Sequence, residues 1–232
     1  MKLAIMQPYI FPYIGYFQLI KAVDKFVIYD DVNFINRGWI NRNRILVNGK
    51  DSLFTIPLKE ASQNKLINEI EVNWDDAWKA KWLKTLEQSY KKAPFFQQVK
   101  PIIEQTLEQE KTIFSEIIVE NLKLINAYLG ITTEIIPSSA IYQNIELKAQ
   151  TRILDICLQE KANHYINPIG GIELYQKEVF EEKGMQLNFI KSKPVQYPQL
   201  KNDFVPWLSI LDVLMFNSVE QIQTFLDSYE LV

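Results

Sequence analysis

The sequence predicts an α/β fold, a Rossmann-like and mostly parallel sheet carrying a β-hairpin and a helical insertion. Three observations predict it. Short apolar runs alternate with helix-length stretches at both ends of the chain. Asn48-Gly49 stands between two apolar runs, a strong hairpin signal because a type I′ turn needs positive φ at both central residues. Residues 75–129 then read as three successive helices, so the strand pattern is interrupted and later resumes. The 232 residues form a single α/β domain, with the hairpin and helical insertion at about 44–130.

Taken in order, residues 3–6 are too short and apolar for a helix and read as a buried strand. Residues 13–23 follow as a helix with Phe17, Leu19, Ile20 and Val23 apolar, and Phe26–Tyr29 reads as the second strand. This strand–helix–strand unit has the size of a parallel crossover. Arg44–Val47 and Ser52–Ile56 form the hairpin, and 69–73 suggests a further strand. Helices are predicted over 75–91, 95–109 and 112–129, with Asp75 as a cap and Gly130 at an end. Then come a strand at 133–137, a helix at 147–160, a strand at 165–167, a helix at 171–183 and a strand at 187–191. Two helices, 208–217 and 219–229, close the chain.

Composition excludes several classes. Hydrophobic residues make up 47% and charged ones 23%, enough apolar material for a core. No apolar run approaches the ~20 residues of a membrane span. The short apolar run at the N-terminus does not read as a signal peptide, and a cytoplasmic protein is expected. The single Cys157 excludes an internal disulfide and a cysteine-rich metal site. Residues 1–50 hold seven Lys or Arg against three Asp, a net of +4, so the remainder carries −7 of the overall −3. A local basic patch on an acidic chain suits a small anionic ligand and not nucleic acid.

The candidate site starts with Gln7-Pro8-Tyr9-Ile10-Phe11-Pro12-Tyr13-Ile14-Gly15-Tyr16, between the first strand and its helix. In an open parallel sheet such a turn faces the ligand. The prolines stiffen it, Gly15 permits close approach, and the helix start offers free N–H groups to an anion. Gln7, Tyr9, Tyr13 and Tyr16 are candidate ligand contacts. Tyr13-Ile14-Gly15-Tyr16 has the spacing of the His-x-Gly-His motif of class I nucleotidyl-transfer enzymes. Both histidines are tyrosines here, which supports a phosphate-bearing ligand and weakens nucleotidyl transfer itself.

Arg37, Arg42 and Arg44 fall within eight residues, and Arg152 alone lies elsewhere; lysine outnumbers arginine twenty-one to four. Their planar donor forks suit phosphate or carboxylate. Trp39 offers a stacking face and Asn41 and Asn43 amides; a solvated strand edge paired with Asp30 and Asp31 is the alternative. Asp30-Asp31 reads as a base, a Mg²⁺ pair or an arginine partner. With Tyr13 these two aspartates are the candidate catalytic groups. No metal site is specified, and two adjacent carboxylates do not define one. Ser138, Asn167, Gly170, Gly171 and Tyr175 lie where later strands end and are candidate phosphate or substrate contacts. His164 and Cys157 read as structural. Trp74, Trp78 and Trp82 recur every four residues, so they share a helix face that suits core packing or a homodimer contact.

The motif Met6–Tyr16, together with Arg37-Gly38-Trp39-Ile40-Asn41-Arg42, resembles the WbqC-like family. The likeness continues through Thr151–Asp155, Tyr165–Gly171, Tyr197-Pro198-Gln199 and Leu208–Asp212, and so spans the chain. The resemblance implies a place in bacterial O-antigen or surface-polysaccharide synthesis. It implies transfer of an amino acid or acyl group, such as glycine, to an amino sugar, here expected to be nucleotide-linked. It supplies no catalytic residues. ATP with Mg²⁺ is one cofactor expectation. A non-catalytic binding or assembly protein and a nucleotidyltransferase are the alternatives.

Overall fold

A computed structural model describes residues 1–201 and 203–232. The chain runs β1 (Lys2–Met6), α1 (Ile14–Lys21) and β2 (Lys25–Ile28), then the hairpin β3 (Arg42–Val47) and β4 (Lys50–Thr55). Helices α2 (Asp76–Tyr90), α3 (Phe96–Leu107) and α4 (Phe114–Leu129) follow. The main sheet resumes with β5 (Glu134–Ile136), α5 (Ala149–Gln159), β6 (His164–Pro168), α6 (Lys177–Glu181) and β7 (Gln186–Ser192). Helices α7 (Ile210–Phe216) and α8 (Val219–Leu226) lead to β8 (Tyr229–Leu231).

The fold is α/β, with a mostly parallel sheet and a separate antiparallel hairpin. The sheet order is β5-β2-β1-β6-β7-β8, and only β8 runs antiparallel to its neighbour. Successive residues of β1 face opposite layers, as a strand's period of two requires. Ala4 joins the core shared with α1, the insertion, α7 and α8, whereas Leu3 and Ile5 join the core under α5 and α6. Burial on both faces is why β1 and β2 read as continuous apolar runs.

Local signals place several elements. Asn48 and Gly49 both have positive φ, 50° and 76°, as the hairpin turn demands. Asp75 caps α2 by accepting from the Trp78 N–H. Gly130 ends α4 in the left-handed conformation. Trp74, Trp78 and Trp82 stack at 6.0 and 5.9 Å between centroids. Trp82 is buried against Phe11 and Phe54, so this face belongs to the core.

Three expectations are corrected. The stretch 69–73 forms only single bridges, Leu58 with Val72 and Glu71 with Ile113, because neither neighbour runs alongside it for more than one residue. The helix expected over 171–183 is a 3₁₀ turn at Ile169–Leu174 and the short α6, separated by the extended Tyr175. The last helix stops at Leu226, and Tyr229–Leu231 pairs with β7 as an edge strand. Among the described residues, no helix is long and apolar enough to cross a membrane.

The turn from β1 to α1 is fastened on every side. Phe11 has φ 43°, a left-handed value uncommon for a non-glycine residue. Its N–H donates to Asn121 Oδ1 at 3.1 Å, and its carbonyl accepts from Asn43 Nδ2 at 2.8 Å and Ser209 Oγ at 2.7 Å. The Ile10 N–H donates to the Ile40 carbonyl, and the Ile210 N–H donates to that of Pro12. Asn121→Ala leaves the Phe11 N–H buried and unpaired. It should lower stability by about 1–3 kcal/mol, read as a lower urea midpoint with an unchanged m-value.

Candidate functional site

Strand order reverses between β1 and β6, since β2 and β5 lie to one side of β1 and β6 and β7 to the other. Ligands of open α/β sheets bind beyond the carboxyl ends of the strands at such a reversal. Gln7 follows β1, Asp30 and Asp31 follow β2, Ser138 follows β5, and Asn167 is the penultimate residue of β6 with Gly170 and Gly171 just beyond the strand. The sheet thus brings these candidates to one edge.

At the β2 and β5 ends the acidic pair is buried and internally partnered. Ser138 Oγ donates to Asp30 Oδ1 at 2.6 Å, and Ser139 Oγ donates to Asp31 Oδ1. Arg152 Nη2 meets Asp31 Oδ2 at 2.5 Å, and both side chains are almost fully buried. Arg152 also donates from Nε to Asn144 Oδ1 and lies over the Tyr29 ring at 5.0 Å. The partner of Asp31 is therefore the isolated arginine, not one of the cluster. Burial raises the proton affinity of Asp30, opposed by its serine hydrogen bonds. Among the described residues, no group of three or more His, Cys, Asp or Glu is placed to hold a metal.

At the β6 end, Asn167 is buried, accepts from Tyr165 Oη at 3.0 Å and donates to the Pro168 carbonyl. A Cβ on Gly171 would overlap the Asn167 amide, whereas Gly170 faces open space. Gly171 therefore admits a side chain of the protein itself. Tyr175 packs edge-on to Tyr165.

The open part of the site is an aromatic groove. One cavity of about 320 Å³ is lined by Tyr9, Pro12, Tyr13, Trp39, Asn43 and Trp207. A second of about 280 Å³ shares Tyr13 and Trp207 and adds Lys193, Val195, Phe204 and Leu208 among others. Tyr13 and Trp207 meet edge-on at 6.4 Å. Arg42 and Arg44 stand 6.0 and 5.5 Å from the Trp39 ring, so both cations reach the first cavity's wall. Arg44 also pairs loosely with Asp51 at 3.5 Å, both exposed. Arg37 is exposed in a turn with φ 61°.

Several candidates have internal roles. Tyr16 is buried, and its hydroxyl donates to the Gln7 carbonyl at 2.9 Å. Asn41 Nδ2 donates to the Ile56 carbonyl across the hairpin; it is Asn43 that lines the groove. A Cβ on Gly15 would overlap the Tyr13 ring and come within 2.7 Å of Ser192 Oγ, so Gly15 makes room for Tyr13. Burial raises the pKa of Tyr13, partly opposed by its Ser192 hydrogen bond, so the phenol is a neutral donor. His164 contacts Asn188 at 2.9 Å at the start of β6, away from the strand ends.

Sequence reasoning missed Trp207, Lys193 and Asp212. A tryptophan after Pro206 in an unpatterned stretch was the signal for Trp207, and Asp212 entered only as the end of the motif Leu208–Asp212. Asp212 is fully buried and accepts from Tyr90 Oη at 3.0 Å, Tyr197 Oη at 2.8 Å and Gln199 Nε2 at 2.6 Å. It fastens the groove-lining stretch after β7 to α2 and α7. Burial raises its pKa against these three hydrogen bonds.

Residues 7–224 match the WbqC-like protein family. The chain belongs to that family. An uncharacterized protein of Mycobacterium tuberculosis is 33% identical over 225 residues, covering 93% of each chain. No solved structure matches significantly. The WbqC-like match thus takes in the proline turn, the arginine cluster, Trp207 and Asp212.

Two predictions follow from the buried acids. Asp31→Ala or Arg152→Ala leaves an uncompensated buried charge and should cost about 3–5 kcal/mol. A double-mutant cycle with Asp31→Leu and Arg152→Met, read by urea unfolding, should recover much of that loss. For Asp212, a folded pKa above the unfolded value means that the folded state binds more protons between the two. Its contribution to stability therefore falls as pH rises from about 3.9 through the folded value, then levels. The stability of wild type minus that of Asp212→Asn, followed by melts across this range, should decline with pH.

Proposed function

We propose that this WbqC-like protein binds a nucleotide-linked amino sugar in the aromatic groove and transfers an acyl or aminoacyl group to its amine. The biological setting is surface-polysaccharide (O-antigen) synthesis, as the family resemblance implies. One observation carries the binding part: Arg42 and Arg44 stand against Trp39, which walls a cavity shared with Tyr9, Tyr13 and Trp207. Guanidinium forks suit the phosphates, and aromatic faces suit the base or the apolar face of a sugar.

In the transfer, the amine nitrogen bonds to the carbonyl carbon of an activated acyl donor, such as a thioester. The bond to the donor's leaving group breaks and its electron pair departs with that group. The amine proton goes to a base. Tyr13, kept neutral, donates a hydrogen bond to the carbonyl oxygen as negative charge develops there. Asp30 is the candidate base, because burial raises its proton affinity. Asp31 positions the β2 end through Arg152.

A second reading, a binding protein without turnover, is favoured by the internal partners that both aspartates already have. Calorimetric titration with a panel of nucleotide-linked amino sugars tests binding. One member should bind, and Arg42→Ala, which removes a charged hydrogen bond, and Trp39→Ala, which removes a stacking face, should each weaken it about tenfold or more. No binding across the panel would refute the assignment. Mass spectrometry of the bound sugar after adding acyl thioester, or acid with ATP and Mg²⁺, separates the readings: a mass gain supports transfer, and an unchanged mass supports the binder.

A further inference from the structure

We infer that the cavity on the Lys193 side of Tyr13 holds the apolar chain of an acyl donor whose activating group is anionic, so that the transferred group is larger and more apolar than glycyl. This rests on the reading above and specifies its donor. The cavity walls include Ile14, Val195, Phe204, Leu208 and Val213, with the Tyr13 and Trp207 rings at the mouth shared with the other cavity. Among the described residues, polar side chains in this wall are few. Pro194 and Pro206 have no N–H to offer. The single hydroxyl proton of Tyr197 is already donated to Asp212. A glycyl ammonium here would lose hydration against a largely apolar wall, and it would face the like charge of Lys193.

Lys193 is the one charged residue of the lining. Its side chain is exposed and makes no ion pair among the described residues. An ammonium at the edge of an apolar cavity is matched by a ligand with an apolar body and a negative end. The volume of about 280 Å³ equals on the order of nine water-sized groups at ~30 Å³ each. That is far more than a glycyl group fills and suits a chain of medium length. Because Tyr13 and Trp207 also wall the Trp39 cavity, a carbonyl at this junction would lie beside an amino sugar held at Trp39.

The test is calorimetric titration of the full chain with sodium acetate, butyrate, hexanoate and octanoate, and with glycine. Affinity should rise about fourfold per added methylene until the cavity is full, and glycine should not bind. Val195→Trp, which fills the cavity from a half-buried loop position, should abolish octanoate binding. Lys193→Ala, an exposed change that spares the fold, should weaken octanoate about tenfold and reduce its salt dependence. Absence of octanoate binding, glycine binding as tightly as octanoate, or octanoate binding unchanged in both variants would overturn the inference. Uridine diphosphate titrated into the same proteins probes the Trp39 cavity. If it binds while octanoate does not, the acyl pocket alone is refuted; if neither binds, the sugar-nucleotide reading loses its support as well.

Discussion

The structure depends on the left-handed Phe11. A non-glycine residue in that region costs about 1–3 kcal/mol and persists only where its surroundings over-determine it. Here they do. Its N–H is held by Asn121 on α4, and its carbonyl by Asn43 on β3 and by Ser209 just before α7. One residue thus ties the exit of the first strand to the insertion and to the C-terminal helices. Pro8 and Pro12 bring no N–H of their own, which lightens the demand for partners in so crowded a turn. Tyr9 and Tyr13 flank this clamp and line the groove, so the aromatic wall inherits the rigidity of the turn.

What the sequence revealed was local, and what it hid was long-range. The β1–α1–β2 unit, the Asn48-Gly49 hairpin, the Asp75 cap and the Gly130 helix end each have their cause within a few residues. The edge strand Tyr229–Leu231 does not: its register comes from β7, and three residues carry too little alternation to announce a strand. Gly170-Gly171 resembled a helix start, yet Gly171 serves to admit the Asn167 amide. In the groove, the proline turn was suggested by its place after the first strand, and Trp39 with the arginines by their clustering. It did not find Trp207 and Lys193, which reach the groove from a stretch without periodicity at the far end of the chain. Nor did it find Arg152, which lies 121 residues from its partner Asp31.

Two buried aspartates are satisfied by different chemistry, with different consequences. Asp31 meets a guanidinium, so the pair is neutral overall and fixes the β2 end to α5. Among the described residues, Asp212 meets neutral donors, from Tyr90, Tyr197 and Gln199. Its charge is stabilised by hydrogen bonds alone, which is why burial raises its proton affinity. What that arrangement secures is position. Tyr197 and Gln199 belong to the irregular stretch after β7, and Asp212 gives that stretch a fixed point in the core.

The two walls of the groove are accordingly built to different tolerances. Tyr9 and Tyr13 stand on the clamped turn and Trp39 on the lead into the hairpin, whose backbone is bonded to that turn through Ile10 and Ile40. Trp207 faces them from a residue with φ 59°, more than half exposed. Selectivity for a ligand's polar groups has to come from the clamped side, because donors held rigidly lose little on binding and leave a mismatched ligand unpaired. The Trp207 side contributes mainly apolar area, which is non-directional and tolerates small displacements. A groove so divided would discriminate sharply among polar groups on its clamped side and only gradually among apolar surfaces on the Trp207 side.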